Sequence, residues 1–125
     1  MDIEFVPYEE ALALKELGFN EPCLASYNHA GKRLDIREYI NHGEYTVLAP
    51  VYSQAFRWFR EKHGLVSWIS FRIDLQKKYL WYITDVKDIV TRDCDYIFDL
   101  QIESYEESEI ACLKKLIEIV KEGKK

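Results

Sequence analysis

Glycine and proline are scarce in this chain, five and three in 125 residues, and the glycines stand singly. Neither Gly-x-Gly-x-x-Gly nor Gly-x-x-x-x-Gly-Lys occurs, so the sequence offers no backbone cradle for a phosphate. Cysteine is sparse too: Cys23, Cys94 and Cys112 are odd in number, far apart and form no Cys-x-x-Cys pair. Such spacing argues against a disulfide frame and fits reduced thiols. His29, His42 and His63 show no HxxxH or HExxH spacing. A metal site would have to be assembled from distant parts of the chain, and neither metal nor cofactor is expected. Long apolar runs are missing, and the opening Met1-Asp2-Ile3-Glu4 is acidic where a secretory signal is basic. No membrane insertion and no export are expected, which leaves a cytoplasmic protein.

Two further features with a chemical look also have plain explanations. In Asp93-Cys94-Asp95, carboxylates on both sides disfavour the thiolate that a nucleophile needs. The acid pairs Glu9-Glu10 and Glu106-Glu107 stand at helix starts, where the helix dipole accounts for them.

What the chain does have is aromatic residues, at 14% (nine Tyr, six Phe, three Trp), beside 48% hydrophobic and 31% charged residues. That balance belongs to an ordered globular chain, and the length suits a single domain over residues 1–125. Large rings supply either a dense core or stacking and interface surfaces. The net charge of −5 is unevenly spread. Residues 1–21 carry six acids against Lys15, and residues 85–103 carry six against Lys87 and Arg92. Between them Arg57, Arg60, Lys62, Arg72, Lys77 and Lys78 face only Glu61 and Asp74. Solvated element faces or a basic patch for an anionic partner would each produce this distribution.

Hydrophobic periodicity and breaker residues predict the elements. A helix runs over about Pro7–Leu17, with a proline for its first turn, Glu9 and Glu10 for its positive end and Gly18 as its stop. Leu24–Asn28 and Arg33–Ile36 flank His29-Ala30-Gly31, a link that suits a hairpin. Residues 37–49 are ambiguous, with a turn at Asn41-His42-Gly43 and a short strand around Tyr45–Leu48. A second helix over Val51–His63 puts Tyr52, Phe56 and Phe59 on one side and ends at Gly64. Strands over Val66–Asp74, Tyr79–Val86 and Asp95–Glu103 follow. In the first, Ile69, Phe71 and Ile73 face one way and Trp68, Ser70 and Arg72 the other; in the third, Tyr96, Phe98, Leu100 and Ile102 face inward. Ser104-Tyr105-Glu106-Glu107 is a capping box, and Ile110, Leu113, Leu116, Ile117 and Val120 form the apolar stripe of a last helix.

The expected fold is α+β in the order α-β-β-α-β-β-β-α: a mainly antiparallel sheet with three helices packed on one face through Leu14, Phe56, Phe59, Leu113 and Ile117. Tyr-x-x-small opens each helix, at Tyr8, Tyr52 and Tyr105; a duplicated helix–hairpin unit and common helix-start chemistry both explain it. The strand Tyr79-Leu80-Trp81-Tyr82-Ile83 is apolar on both faces. It fits either a homodimer interface or a central strand covered within one chain.

The candidate ligand surface is the aromatic-basic cluster of Arg57, Trp58, Arg60 and Trp68, since rings beside guanidinium groups stack bases and pair phosphates. Against it stands the alternative that Trp58 packs on the sheet and the arginines are solvated. Overall acidity makes a general nucleic-acid binder unexpected.

Three stretches carry a resemblance. They are Glu9-Glu10-Ala11-Leu12-Ala13-Leu14-Lys15-Glu16-Leu17-Gly18-Phe19, the run from Tyr52-Ser53-Gln54-Ala55-Phe56-Arg57-Trp58-Phe59 to Gly64-Leu65, and Tyr105-Glu106-Glu107-Ser108-Glu109-Ile110-Ala111-Cys112-Leu113-Lys114-Lys115-Leu116-Ile117. The chain resembles a family of small uncharacterised proteins of gut Bacteroides-like bacteria and their phages or mobile elements. The resemblance implies a genomic context and transfers no site residue. The expected function is a non-catalytic binding module for a host protein or a nucleotide-like anion, with no catalytic residue assigned. The alternative is a small hydrolase or transferase whose active site is scattered along the chain.

Overall fold

A computed structural model describes residues 4–28, 33–39, 46–72, 78–85, 96–102 and 104–123; side chains at 37–39, 71–78, 85 and 96–102 are not described. The elements run α1 (Tyr8–Glu16), β1 (Cys23–Asn28), β2 (Leu34–Tyr39), β3 (Thr46–Leu48), α2 (Tyr52–His63), β4 (Leu65–Arg72), β5 (Lys78–Asp85), β6 (Tyr96–Ile102) and α3 (Tyr105–Gly123). This is the α+β class in the expected order, with the short strand β3 taking its place before α2. The link at His29-Ala30-Gly31, the turn at Asn41-His42-Gly43, the Asp93-Cys94-Asp95 motif and the inward alternation of β6 lie outside the described residues or side chains.

The strands divide between two antiparallel sheets of three, ordered β2-β1-β3 and β4-β5-β6. Local chemistry sets the helix ends between them. α1 starts after Pro7 with Glu9 and Glu10 in its first turn. The Gly64 N–H of the α2 cap bonds the Phe59 carbonyl from a left-handed conformation, φ 67°. At α3, the Ser104 hydroxyl accepts the Glu107 N–H at 3.1 Å, which is the N-cap half of the capping box. The extended segment before α1 bridges to the one before α2 through Val6 N–H to the Pro50 carbonyl at 2.8 Å.

Gly18 ends α1 at φ 101°, well outside the range an L side chain adopts comfortably, yet a Cβ there would meet nothing within 4 Å. Gly18→Ala is therefore expected to cost about 1–3 kcal/mol through backbone strain alone. A urea midpoint equal to the parent's would reject this.

The helices form a layer that joins the two sheets. α1 packs on β3, α2 on β4, and α3 on β4, β5 and β6 while touching both other helices. Leu14, Phe59, Leu113 and Ile117 all lie in one continuous core, with Phe56 half-buried against it. The register of β4 and β5 puts Ser67, Ile69, Trp81 and Ile83 on one face and Trp68, Ser70, Leu80 and Tyr82 on the other. β5 is the central strand, and Leu80, Trp81 and Ile83 are buried within the chain. Tyr82, on the face it shares with Trp68, is half-buried.

Candidate functional site

α2 separates the sequence-neighbouring members of the aromatic-basic cluster, because adjacent helical residues point about 100° apart. Trp58 goes inward and is 4% exposed. Its ring meets Phe19, Phe59 and His63 edge-on, with centroids 5.5, 5.0 and 4.8 Å away. An indole with that much protein around it is a core residue and has no face left for a nucleobase. Arg57 projects toward solvent, half-exposed, between Glu21 and Glu61, each at 3.8 Å. The nearby Gln54 amide donates to the Pro22 carbonyl at 2.8 Å and fastens this flank of α2 to the start of β1. Two carboxylates already share the Arg57 charge, which lowers its value to an anionic ligand.

Arg60 and Trp68 fare differently. Arg60 is exposed and stands one turn beyond Phe56 on the same flank of α2. Trp68 is 41% exposed and stacks on Tyr82 across β4 and β5, centroids 5.1 Å apart and planes 12° from parallel. The structure thus leaves Arg60 and Trp68 exposed, buries Trp58, and pairs Arg57 with Glu21 and Glu61.

Trp68 borders a groove of about 110 Å³ lined also by Phe56 of α2, Ser67 and Ile69 of β4, and Tyr105 and Cys112 of α3. Tyr105 is 46% exposed at its rim and meets Tyr79 edge-on at 5.9 Å. The floor is chemically quiet. Burial pushes the Cys112 thiol up to about 12; a hydrogen bond with Ser67 opposes the shift and Glu109 adds to it. At neutral pH it is a thiol and not a nucleophile. Cys23 is likewise pushed up to about 12, by burial and then by Glu21, against a hydrogen bond to Gln54. Among the described residues no group of three His, Cys, Asp or Glu could hold a metal ion, and no helix is long and apolar enough to cross a membrane.

Beside the groove, Glu109 sits with Glu4 and Glu106, and its carboxyl lies above the ordinary value, chiefly through burial and then through these neighbours. Tyr52 is pushed up to about 12 by its own burial, then by Glu109, Glu10, Glu4 and Tyr27. A raised folded-state pKa means the folded chain holds the Glu109 proton more tightly than the unfolded chain does. Ionised Glu109 therefore costs stability at neutral pH, and the cost fades as pH falls through the raised pKa. Glu109→Gln should melt higher than the parent at pH 7, with the difference shrinking under acid conditions. A lower melting temperature at pH 7 would contradict the assignment.

Of the groove's lining residues, Trp68 alone belongs to the aromatic-basic cluster legible in the sequence. The sequence marks Phe56 as a packing residue and Tyr105 as a helix-start residue, and nothing in their spacing signals that they share a wall. No protein-family model, curated protein or solved structure matches the chain.

Proposed function

We propose that this chain is a non-catalytic binding module that captures a host protein in the bacterial cytoplasm, encoded by a phage or a mobile element. The observation that carries the reading is the groove rimmed by Trp68 and Tyr105 and floored by Ile69 and Cys112. Pockets that enclose a drug-sized ligand measure roughly 300–1,000 Å³. At about 110 Å³ this groove is too small for a nucleotide. An apolar cavity of about 150 Å³ takes benzene, so the groove suits one apolar side chain of a larger partner. Exposed aromatic anchors around a small pocket are also where protein interfaces concentrate their energy. The engagement of Arg57 and the burial of Trp58 weigh the same way, against a nucleotide-like anion. The phage or mobile-element origin is supported by the resemblance in the three helical segments.

Peptides selected from a random displayed library on the folded chain test this reading. Trp68→Ala and Tyr105→Ala are each expected to weaken the best peptide by about tenfold or more, or roughly 1.4 kcal/mol. Nucleotides, cyclic dinucleotides and short oligonucleotides are expected to leave the melting temperature unchanged. A nucleotide that raises it, together with peptides indifferent to both substitutions, would replace the protein partner by an anion.

A further inference from the structure

We infer that the partner is held as an added β-strand: an extended segment pairs with the free edge of β4, sinks one apolar side chain into the groove and places an acidic residue against Arg60. This rests on the groove being a protein-binding site and specifies how it binds.

The groove takes three β4 residues in a row. Ser67, Trp68 and Ile69 are consecutive, and their side chains alternate between the two faces of the sheet. A single groove can touch all three only along the edge of the strand, where the backbone itself is the wall. β4 is the outermost strand in the order β4-β5-β6, and no strand among the described residues pairs its other side. Such an edge presents N–H and C=O groups in a row, a template that another extended chain completes.

The walls around that edge come from two helices. Phe56 stands on one side of it, with Tyr105 and Cys112 on the α3 side. An unpaired strand edge is completed by an extended backbone and not by a helix, whose N–H and C=O groups are already bonded within it. An extended segment needs only the roughly 4.8 Å that separates paired strands, and it points alternate side chains into the groove and away from it.

α2 packs on β4 and returns to it through Gly64. Arg60 lies one helical turn from Phe56, a groove residue, in the direction of Gly64 and the start of β4. It is exposed, and among the described residues it has no ion pair, in contrast to Arg57. The surplus positive charge at one end of an apolar groove selects a segment with an acidic residue next to its apolar anchor.

The test uses the full chain and the tightest synthetic octapeptide from a random displayed library. Methylating the peptide backbone nitrogens one at a time should weaken binding by about tenfold or more at alternate positions and leave the intervening ones unaffected, because only every second N–H of an added strand meets β4. Binding should slow hydrogen exchange at alternate amides within residues 65–72. Arg60→Glu should weaken the peptide by about tenfold, and exchanging its acidic residue for lysine should restore binding to that variant. Peptides that need Trp68 and Tyr105 but tolerate every N-methylation would overturn strand addition and leave the binding-module reading standing. Failure to obtain a peptide that needs those two rings would overturn both. Self-association lost on Tyr105→Ala would also overturn the proposal, since the occupant would then be a second copy of the chain.

Discussion

Trp58→Ala is expected to lower the stability of the chain by about 3–5 kcal/mol, the range for emptying a large aromatic site in a packed core. The indole is 4% exposed and wedged among Phe19, Phe59 and His63. No neighbour is free to collapse into the space, because Phe59 is itself fully buried at the centre of α2. Single domains are stable by only about 5–15 kcal/mol in total. The variant should therefore show a sharply lower urea midpoint by far-UV circular dichroism, and a marginal parent would yield a largely unfolded variant. Trp68→Ala, at the groove rim, should lose far less stability while losing peptide binding. The pair separates the two tryptophans by role. A Trp58→Ala chain as stable as the parent but unable to bind would restore Trp58 to the ligand surface.

That contrast also shows why the fold was more legible than the site. Helix ends are local events: Pro7, Gly18, Gly64 and Ser104 each act on the backbone beside them, and the three helices lie within a few residues of where these signals put them. The alternation of β4 is local as well, and the structure puts Ile69 and Trp68 on opposite faces as the pattern requires. Partition of the strands into two sheets is not local. It depends on β1 pairing with both β2 and the three-residue β3, a strand too short to carry a period of its own. The site fails for a related reason. Arg57, Trp58 and Arg60 look clustered along the chain, but helical geometry turns Trp58 into the core while Arg57 and Arg60 stay exposed. Phe56, Ile69, Tyr105 and Cys112 stand far apart along the chain, and only packing brings them to one groove.

Leu113→Ala is expected to cost about 2–5 kcal/mol and, more tellingly, to weaken both sheets together. Leu113 is fully buried on α3, the helix that packs on β4, β5 and β6 and also touches α1 and α2. One continuous core runs from Leu14 and Val47 at the first sheet through Phe59 to Trp81 and Leu113 at the second. A cavity at Leu113 cannot be confined to one sheet if that core unfolds as a unit, because the helices are the shared wall between them. The expected signature is a single unfolding transition, with amide exchange in β1 and β5 accelerated by the same factor under conditions where exchange reports global opening. Acceleration limited to β4, β5 and β6, with β1 keeping the parent's protection, would mean that residues 1–125 fold as two units and that the groove belongs to the second alone.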